Sequence, residues 1–200
     1  LSQEISATKE TIQKDLSDLM KKVLDKGAED LDIEFEVIDS DPAGAILQIE
    51  KKKSIGLIVI GTHGLTGVRR LLLGSVAEDV IHNAGVPVFT VRQKAHDFID
   101  VNKPEVSPRL ERILCACEIS DDDRPTLNHA VSIAERFNAG LTVLYSDESR
   151  DADDLSGDKE KLCSWISGAV KTRCDIEPIV RRGGAADQII DQAKEEKSDL

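Results

Sequence analysis

The chain has 200 residues, enough for one large domain or two small ones. Its 40% hydrophobic and 32% charged content suits a globular chain and excludes intrinsic disorder and a collagen-like fibre. No apolar run approaches the roughly 18–20 residues that cross a bilayer, residues 1–20 read as a charged amphipathic segment and not as a signal peptide, and a net charge of −12 excludes a cationic platform for nucleic acid.

Residues 4–26 carry a helical stripe of Ile5, Ile12, Leu16, Leu19, Met20, Val23 and Leu24, ended by Gly27. Ile33, Phe35 and Val37 alternate with charges, which predicts a strand. Asp41-Pro42 then starts a helix, with Asp41 as N-cap, Pro42 at its first position, an apolar face of Ala45, Ile46 and Ile49, and Lys51–Lys53 suited to its C-terminal end. Leu57–Ile60 is a continuous apolar run, the pattern of a strand buried on both faces of a parallel sheet. A glycine-bearing loop from Gly61 to Ser75 follows, then a helix over Val76–Asn83 and a strand over Val86–Val91. Residues 93–109 are polar, hold two prolines and lack periodicity, as a linker does. Beyond them the expected elements are strand Arg112–Cys117, helix Pro125–Asn138, strand Leu141–Tyr145, acidic loop Ser146–Asp158, helix Lys159–Thr172, strand Ile176–Val180 and helix Ala185–Glu196. Strands alternating with helices indicate an α/β fold.

An internal repeat organises the chain. With Ile33 set against Ile176, an offset of 143, Val37 meets Val180, Ile46-Leu47 meets Ile189-Ile190, Leu19 meets Leu162 and Leu57 meets Leu200. Residue 200 is thus equivalent to the start of the buried strand at Leu57. The chain reads as a fragment of a tandem protein in which both copies are incomplete: residues 1–92 the C-terminal part of a first domain, 93–109 a linker, and 110–200 the N-terminal part of a second.

The four cysteines, Cys115, Cys117, Cys163 and Cys174, have no metal spacing. They read as buried reduced thiols of a cytoplasmic protein, with a redox pair as the alternative, and Cys115 and Cys117 share one face of a strand, where they cannot easily bridge each other. The glycine loop has the position at which α/β proteins bind ligands, after a buried strand and before a helix. Gly61 lets the chain turn, Gly64 lets backbone approach a ligand, and Gly74-Ser75 opens a helix whose free N–H groups and positive dipole end favour an anion. Ser75 and Thr62 add hydroxyl donors. Together these describe a phosphate cradle, against the plainer reading of a tight turn and a capped helix. Neither a Gly-Lys-Ser/Thr P-loop nor a GxGxxG dinucleotide fingerprint occurs.

The spacing Gly61-x-x-Gly64, nine residues, then Gly74-Ser75 resembles the nucleotide motif of ATP-binding universal stress proteins. LIVIGTHGLTGVRRLLLGSVAEDVIHNAGVPVFTV is similar to that family's fourth strand, phosphate loop, fourth helix and fifth strand, and RILCACEIS to its first strand and the following turn. The resemblance implies a flavodoxin-like, Rossmann-like parallel sheet of five strands in the order 3-2-1-4-5, with ATP at the strand C-termini, with or without magnesium. It implies that Gly61, Thr62, His63, Gly64, Gly74 and Ser75 lie at phosphates and ribose, and that Glu118 stands where the family commonly has an Asp touching the nucleotide. The family's Asp before the fourth strand is Gly56 in the first copy and Asp199 in the second. A homodimer or an intramolecular domain pair is expected at the Val86–Val91 strand.

Other candidates have competing readings. His63 lies within reach of a phosphate or is an exposed loop residue, and Arg69 and Arg70 neutralise phosphate charge or are merely solvated. Asp121–Asp123 help a magnesium ion or cap the Pro125 helix. The stretch Asp147–Asp158 fails the EF-hand pattern at Leu155 and reads as a solvated loop. With no nucleophile set beside a His, the expected function is ATP binding in a stress response, non-catalytic or slowly hydrolysing. The alternatives are an adenine-nucleotide-using α/β enzyme and an interaction module that has lost nucleotide binding. Residues 58–200 also offer all five strands in permuted order, so a single permuted sheet with the 57–60 strand beside 112–117 is a further possibility.

Overall fold

In the computed structural model of the chain, which describes residues 11–12, 14–18, 32–62, 73–92, 110–148, 155–170 and 174–200, every strand runs parallel to its neighbour and the order of elements is that of an α/β protein. The described residues up to Arg92 form one compact unit and those from Leu110 another. The linker at 93–109 lies outside the described residues.

In the first unit, Asp41 caps helix α1 (Pro42–Lys53) as its sequence predicts, its carboxylate accepting the Gly44 N–H at 2.7 Å, with Pro42 in the first turn and Lys51, Lys52 and Lys53 in the last. Strand β1 (Ile58–Gly61) pairs in parallel with β2 (Val88–Val91), Ile58 opposite Val88, and helix α2 (Ser75–Asn83) connects them. Ala43, Ile58 and Val80 are the buried centre of a small core that includes Ile46, Ile60 and Val76.

Two expectations fail in this unit. The Leu57–Ile60 run is not buried on both faces: Leu57 is 53% and Val59 61% exposed, while Ile58 is buried. Helices α1 and α2 both join the one cluster around Ile58 and Ile60, and among the described residues Leu57 and Val59 on the opposite side stay exposed. The Ile33–Val37 segment is extended but is no strand. Its alternation survives, Ile33, Phe35 and Val37 being half-buried, and Lys53 Nζ ties it to α1 through Glu34 at 2.9 Å and Glu36 at 2.7 Å. A strand needs a ladder partner. The equivalent strand of the second unit has one in β4, and among the described residues the Ile33–Val37 segment has none. Of the predicted 4–26 helix, residues 11–12 and 14–18 are helical, with Ile12 and Leu16 exposed; Ile5, Leu19, Met20, Val23, Leu24 and Gly27 lie outside the described residues.

The second unit is built on a three-stranded parallel sheet, β3 (Arg112–Ala116), β4 (Gly140–Asp147) and β5 (Ile176–Arg182), adjacent in that order. Alternation divides its faces. Ile113, Cys115, Leu141 and Val143 point at helices α3 (Arg124–Phe137) and α4 (Ser156–Ala169), where Leu127, Val131, Leu162, Trp165 and Ile166 complete the core. Thr142 and Arg181 point the other way, to helix α5 (Ala185–Glu196), through Glu196 at 2.8 Å and Glu195.

After α5 the chain returns to β3. Arg112 and Leu114 have backbone groups facing away from β4, and there the Arg112 carbonyl accepts the Asp199 N–H at 2.9 Å and the Leu114 N–H donates to Leu200 at 2.8 Å. The Asp199 carboxylate accepts the N–H groups of Glu111 and Arg112 at 2.8 and 3.0 Å. This stretch of the β3 edge is therefore taken by residues 199–200. β1 and β3 lie in different sheets, and the single permuted sheet is not formed.

Candidate functional site

The glycine loop is anchored at both ends. Gly61 closes β1 opposite Val91. Thr62 is 6% exposed; its N–H donates to the Val91 carbonyl at 3.0 Å and its hydroxyl is turned to the same oxygen at 3.5 Å. The Thr62 carbonyl then accepts the Gly74 N–H at 3.0 Å, so the chain leaves β1 and returns to the head of α2 at one point. A Cβ on Gly74 would stand 3.1 Å from that carbonyl oxygen, a tight contact that a side chain could make only by pushing the oxygen back by a few tenths of an ångström. Gly74 is the N-cap of α2, with extended backbone and no side chain to satisfy the first turn, which begins at Ser75. First-turn N–H groups without an intrahelical partner and the positive dipole end of α2 thus sit at the loop's exit. His63, Gly64, Arg69 and Arg70 lie outside the described residues.

Glu118 belongs to the second unit, just past the C-terminal end of β3. Its N–H donates to the Asp123 carboxylate at 2.6 Å, which tightens the turn between β3 and α3. Asp123 occupies the N-cap position of α3 but makes no side-chain bond to that helix, and Asp121 pairs with Arg124 at 2.6 Å, so capping by side chain is not what these aspartates do. Glu118 borders a cavity of about 650 Å³ formed by the C-terminal ends of β3 and β4 and the start of α5. Ala116, Leu144 and Ile189 give it an apolar side. Asp123, Asp147 and Glu148 join Glu118 on the polar side, with Tyr145 and Ser146 between. Burial, followed by the charges of Asp147 and Asp158, raises the Tyr145 hydroxyl above its ordinary pKa.

The cavity's outer wall is held by backbone. The Ser146 hydroxyl donates to the Gly183 carbonyl at 2.8 Å, and the Gly183 N–H to the Asp147 carbonyl at 3.0 Å. Gly183 has a φ of +126°, a conformation natural to glycine, and it turns the chain from β5 into α5. Glu148 then accepts the Ala185 N–H at 3.0 Å, placing a carboxylate on the first turn of α5. Tyr145, Asp147, Glu148 and Ile189 were not foreseen. The acidic stretch reads in sequence as a solvated loop, whereas Asp147 ends β4 at the edge where parallel sheets collect ligands.

Cys115 in β3 and Cys117, one residue past its end, join the same core cluster. The two hydrogen-bond to each other, which, with burial, holds the Cys117 thiol well above its ordinary pKa. Among the described residues no group of three His, Cys, Asp or Glu side chains is placed to hold a metal ion, and no helix is long and apolar enough to cross a membrane.

Residues 2–92 match the model of the universal stress protein family. The chain is 43% identical over 86 residues to universal stress protein MJ0531 of Methanocaldococcus jannaschii, a match covering 42% of this chain and 50% of that protein. It is 32% identical over 94 residues to MJ0577 of the same organism, covering 47% and 52%. The chain spans about half the length of these curated relatives. A crystal structure of a universal stress protein from Archaeoglobus fulgidus superposes with a TM-score of 0.69 at 22% identity, covering 99% of this chain and 68% of that one. A putative universal stress protein from Pseudomonas aeruginosa follows with a TM-score of 0.64 at 16% identity, covering 93% and 64%. These two likenesses concern the fold alone.

Proposed function

Residues 2–92 belong to the universal stress protein family, and on that premise we propose that the chain is a binding protein for an adenine nucleotide, ATP, in a stress response, non-catalytic or slowly hydrolysing, in the cytoplasm. The observation that carries this reading is the close approach of Gly74 to the Thr62 carbonyl at the head of α2. It leaves an uncapped helix N-terminus beside a glycine-lined turn, a combination that suits a phosphate. Gly61, Thr62, His63, Gly64, Gly74 and Ser75 are the residues assigned to phosphate and ribose, and Glu118 to the nucleoside in the second unit. ATP when bound supplies the anionic group that α2 accepts; the chain's own part is to hold it.

The wider organisation belongs to the same proposal. Residues 1–92 are the later part of one universal stress protein domain, 93–109 a linker and 110–200 the earlier part of another, in a tandem protein whose sheets follow the order 3-2-1-4-5. The return of Asp199 and Leu200 to the outer edge of β3 supports that order, since the fourth strand stands beside the first in it. Pairing of two domains, within a chain or between copies, is proposed at β2.

Calorimetric titration of ATP into the parent chain, Gly64→Ala and Gly74→Val tests the reading. Binding by the parent and a loss of at least about tenfold in both variants is expected, with circular dichroism confirming that each is folded. Equal affinity in the three proteins overturns it.

A further inference from the structure

Cys115 and Cys117 lie two residues apart where β3 ends. Cys115 stands opposite Val143 in the ladder, and past the end of β3 the Cys117 N–H still donates to the Leu144 carbonyl at 3.1 Å. That extended course turns both side chains to the same side of the sheet. Both reach the one core cluster, and the two thiols are in hydrogen-bonding contact. A metal–thiolate bond is about 2.3 Å long, so two sulfurs that share an ion stand no more than about 4.6 Å apart, a span that this pair already meets.

The surroundings suit a soft cation. Cys115 is buried and joins Leu127, Val143 and Trp165 in the core, an apolar shell of the kind that shields a thiolate-bound ion from water. Cys117 is half-buried and lines the cavity at the ends of β3 and β4, which gives an ion a way in. The Asp123 carboxylate lines the same cavity, and its negative charge reaches both thiols, which draws a cation toward them.

We propose that Cys115 and Cys117 form a two-thiolate site for a soft monovalent cation of the copper(I) class. Thiolate sulfur selects such an ion over magnesium or calcium, which take oxygen ligands. The spacing of the four cysteines makes no zinc-type centre, but a two-ligand site needs only one side of one strand. As the ion binds, each thiol that still carries its proton gives it to solvent while its S–metal bond forms, and no electron is transferred.

Copper(I) titrated without oxygen into the reduced whole chain, in competition with a chromophoric chelator, tests the proposal. The parent should hold one ion per chain, and Cys117→Ser should hold it at least about a hundredfold more weakly, beyond the loss that an outer-shell partner causes. The double variant Cys163→Ser/Cys174→Ser should bind as the parent does, with circular dichroism showing that each variant is folded. A second measurement needs no variant. One equivalent of copper(I) should slow iodoacetamide alkylation of Cys117 in the native chain at least about tenfold, read by peptide mass mapping, and leave Cys163 as reactive as before. Copper(I) lost from the parent to the chelator as readily as from a folded Cys117→Ser, or lost in a folded double variant, overturns the proposal, and so does unchanged alkylation of Cys117.

Discussion

Gly61 and Gly74 bracket the same loop, yet different forces act on them. Gly74 cannot gain a Cβ without pressing on the Thr62 carbonyl, an oxygen pinned by the Gly74 N–H and by the Thr62–Val91 bond. Gly74→Ala is expected to lower stability by about 1–2 kcal/mol, the usual cost of a small overpacking, read as a shift in urea midpoint. Around Gly61 no heavy atom of the described residues, its chain neighbours aside, lies within 4 Å of where a Cβ would stand. Gly61→Ala should therefore leave the midpoint within about 0.5 kcal/mol of the parent, and any fall in its ATP affinity would then report on the ligand's approach and not on folding. The Cys115–Cys117 pair gives a second prediction. The Cys117 thiol keeps its proton because it bonds to Cys115 and is partly buried, so alkylation of Cys117 by iodoacetamide near pH 8 should run at least about tenfold slower than in the urea-unfolded chain; equal rates would show that the pair is open. At this scale the glycines were readable because their spacing is local. The cavity was not, because Glu118, Tyr145, Glu148 and Ile189 come together only when β3, β4 and α5 are assembled.

Helix signals are local too, and they served well. Asp41 and Pro42 start α1, Asn138 ends α3 in a left-handed conformation, and α5 spans the predicted residues. Strands depend on neighbours. The Ile33–Val37 alternation describes an extended segment with two different sides, but only a partner makes it part of a sheet. The Leu57–Ile60 run says that four apolar residues are adjacent, and whether both faces are covered depends on which side α1 and α2 pack. One contact between elements has a definite acid response. Arg181 of β5 hydrogen-bonds Glu195 of α5 and so holds the Glu195 carboxyl below its ordinary value of 4.5. A depressed carboxylate contributes stability above its unfolded pKa and loses it as pH falls through the folded value. Glu195→Gln should thus melt below the parent at pH 7, by no more than the small margin of an exposed pair, and the difference should shrink once the pH falls below about 4.5. A difference that grows in acid would show that Glu195 acts by something other than its charge.

Across the whole molecule the two units differ in how much they bury. The core of the unit beginning at Leu110 joins two helices and three strands, with Leu127, Val143 and Leu162 wholly buried. The core of the other gathers around Ala43, Ile58 and Val80 beneath a two-stranded sheet whose far side exposes Leu57 and Val59. Apolar burial is the main favourable term in folding, and separate cores let stability differ from region to region. The unit containing α1 and α2 should therefore open first in urea. The single tryptophan, Trp165, belongs to the larger core, so its fluorescence follows that unit, whereas far-ultraviolet circular dichroism follows helices of both. The dichroism transition should begin at lower urea than the fluorescence transition, and the two curves should not superimpose. ATP bound at the glycine loop would raise the first transition toward the second, since a ligand stabilises the unit that holds it. Superimposed curves would mean that the two cores unfold as one cooperative body, and a shift of the fluorescence transition by ATP without a shift in the earlier dichroism change would place the triphosphate outside the unit that carries the glycine loop.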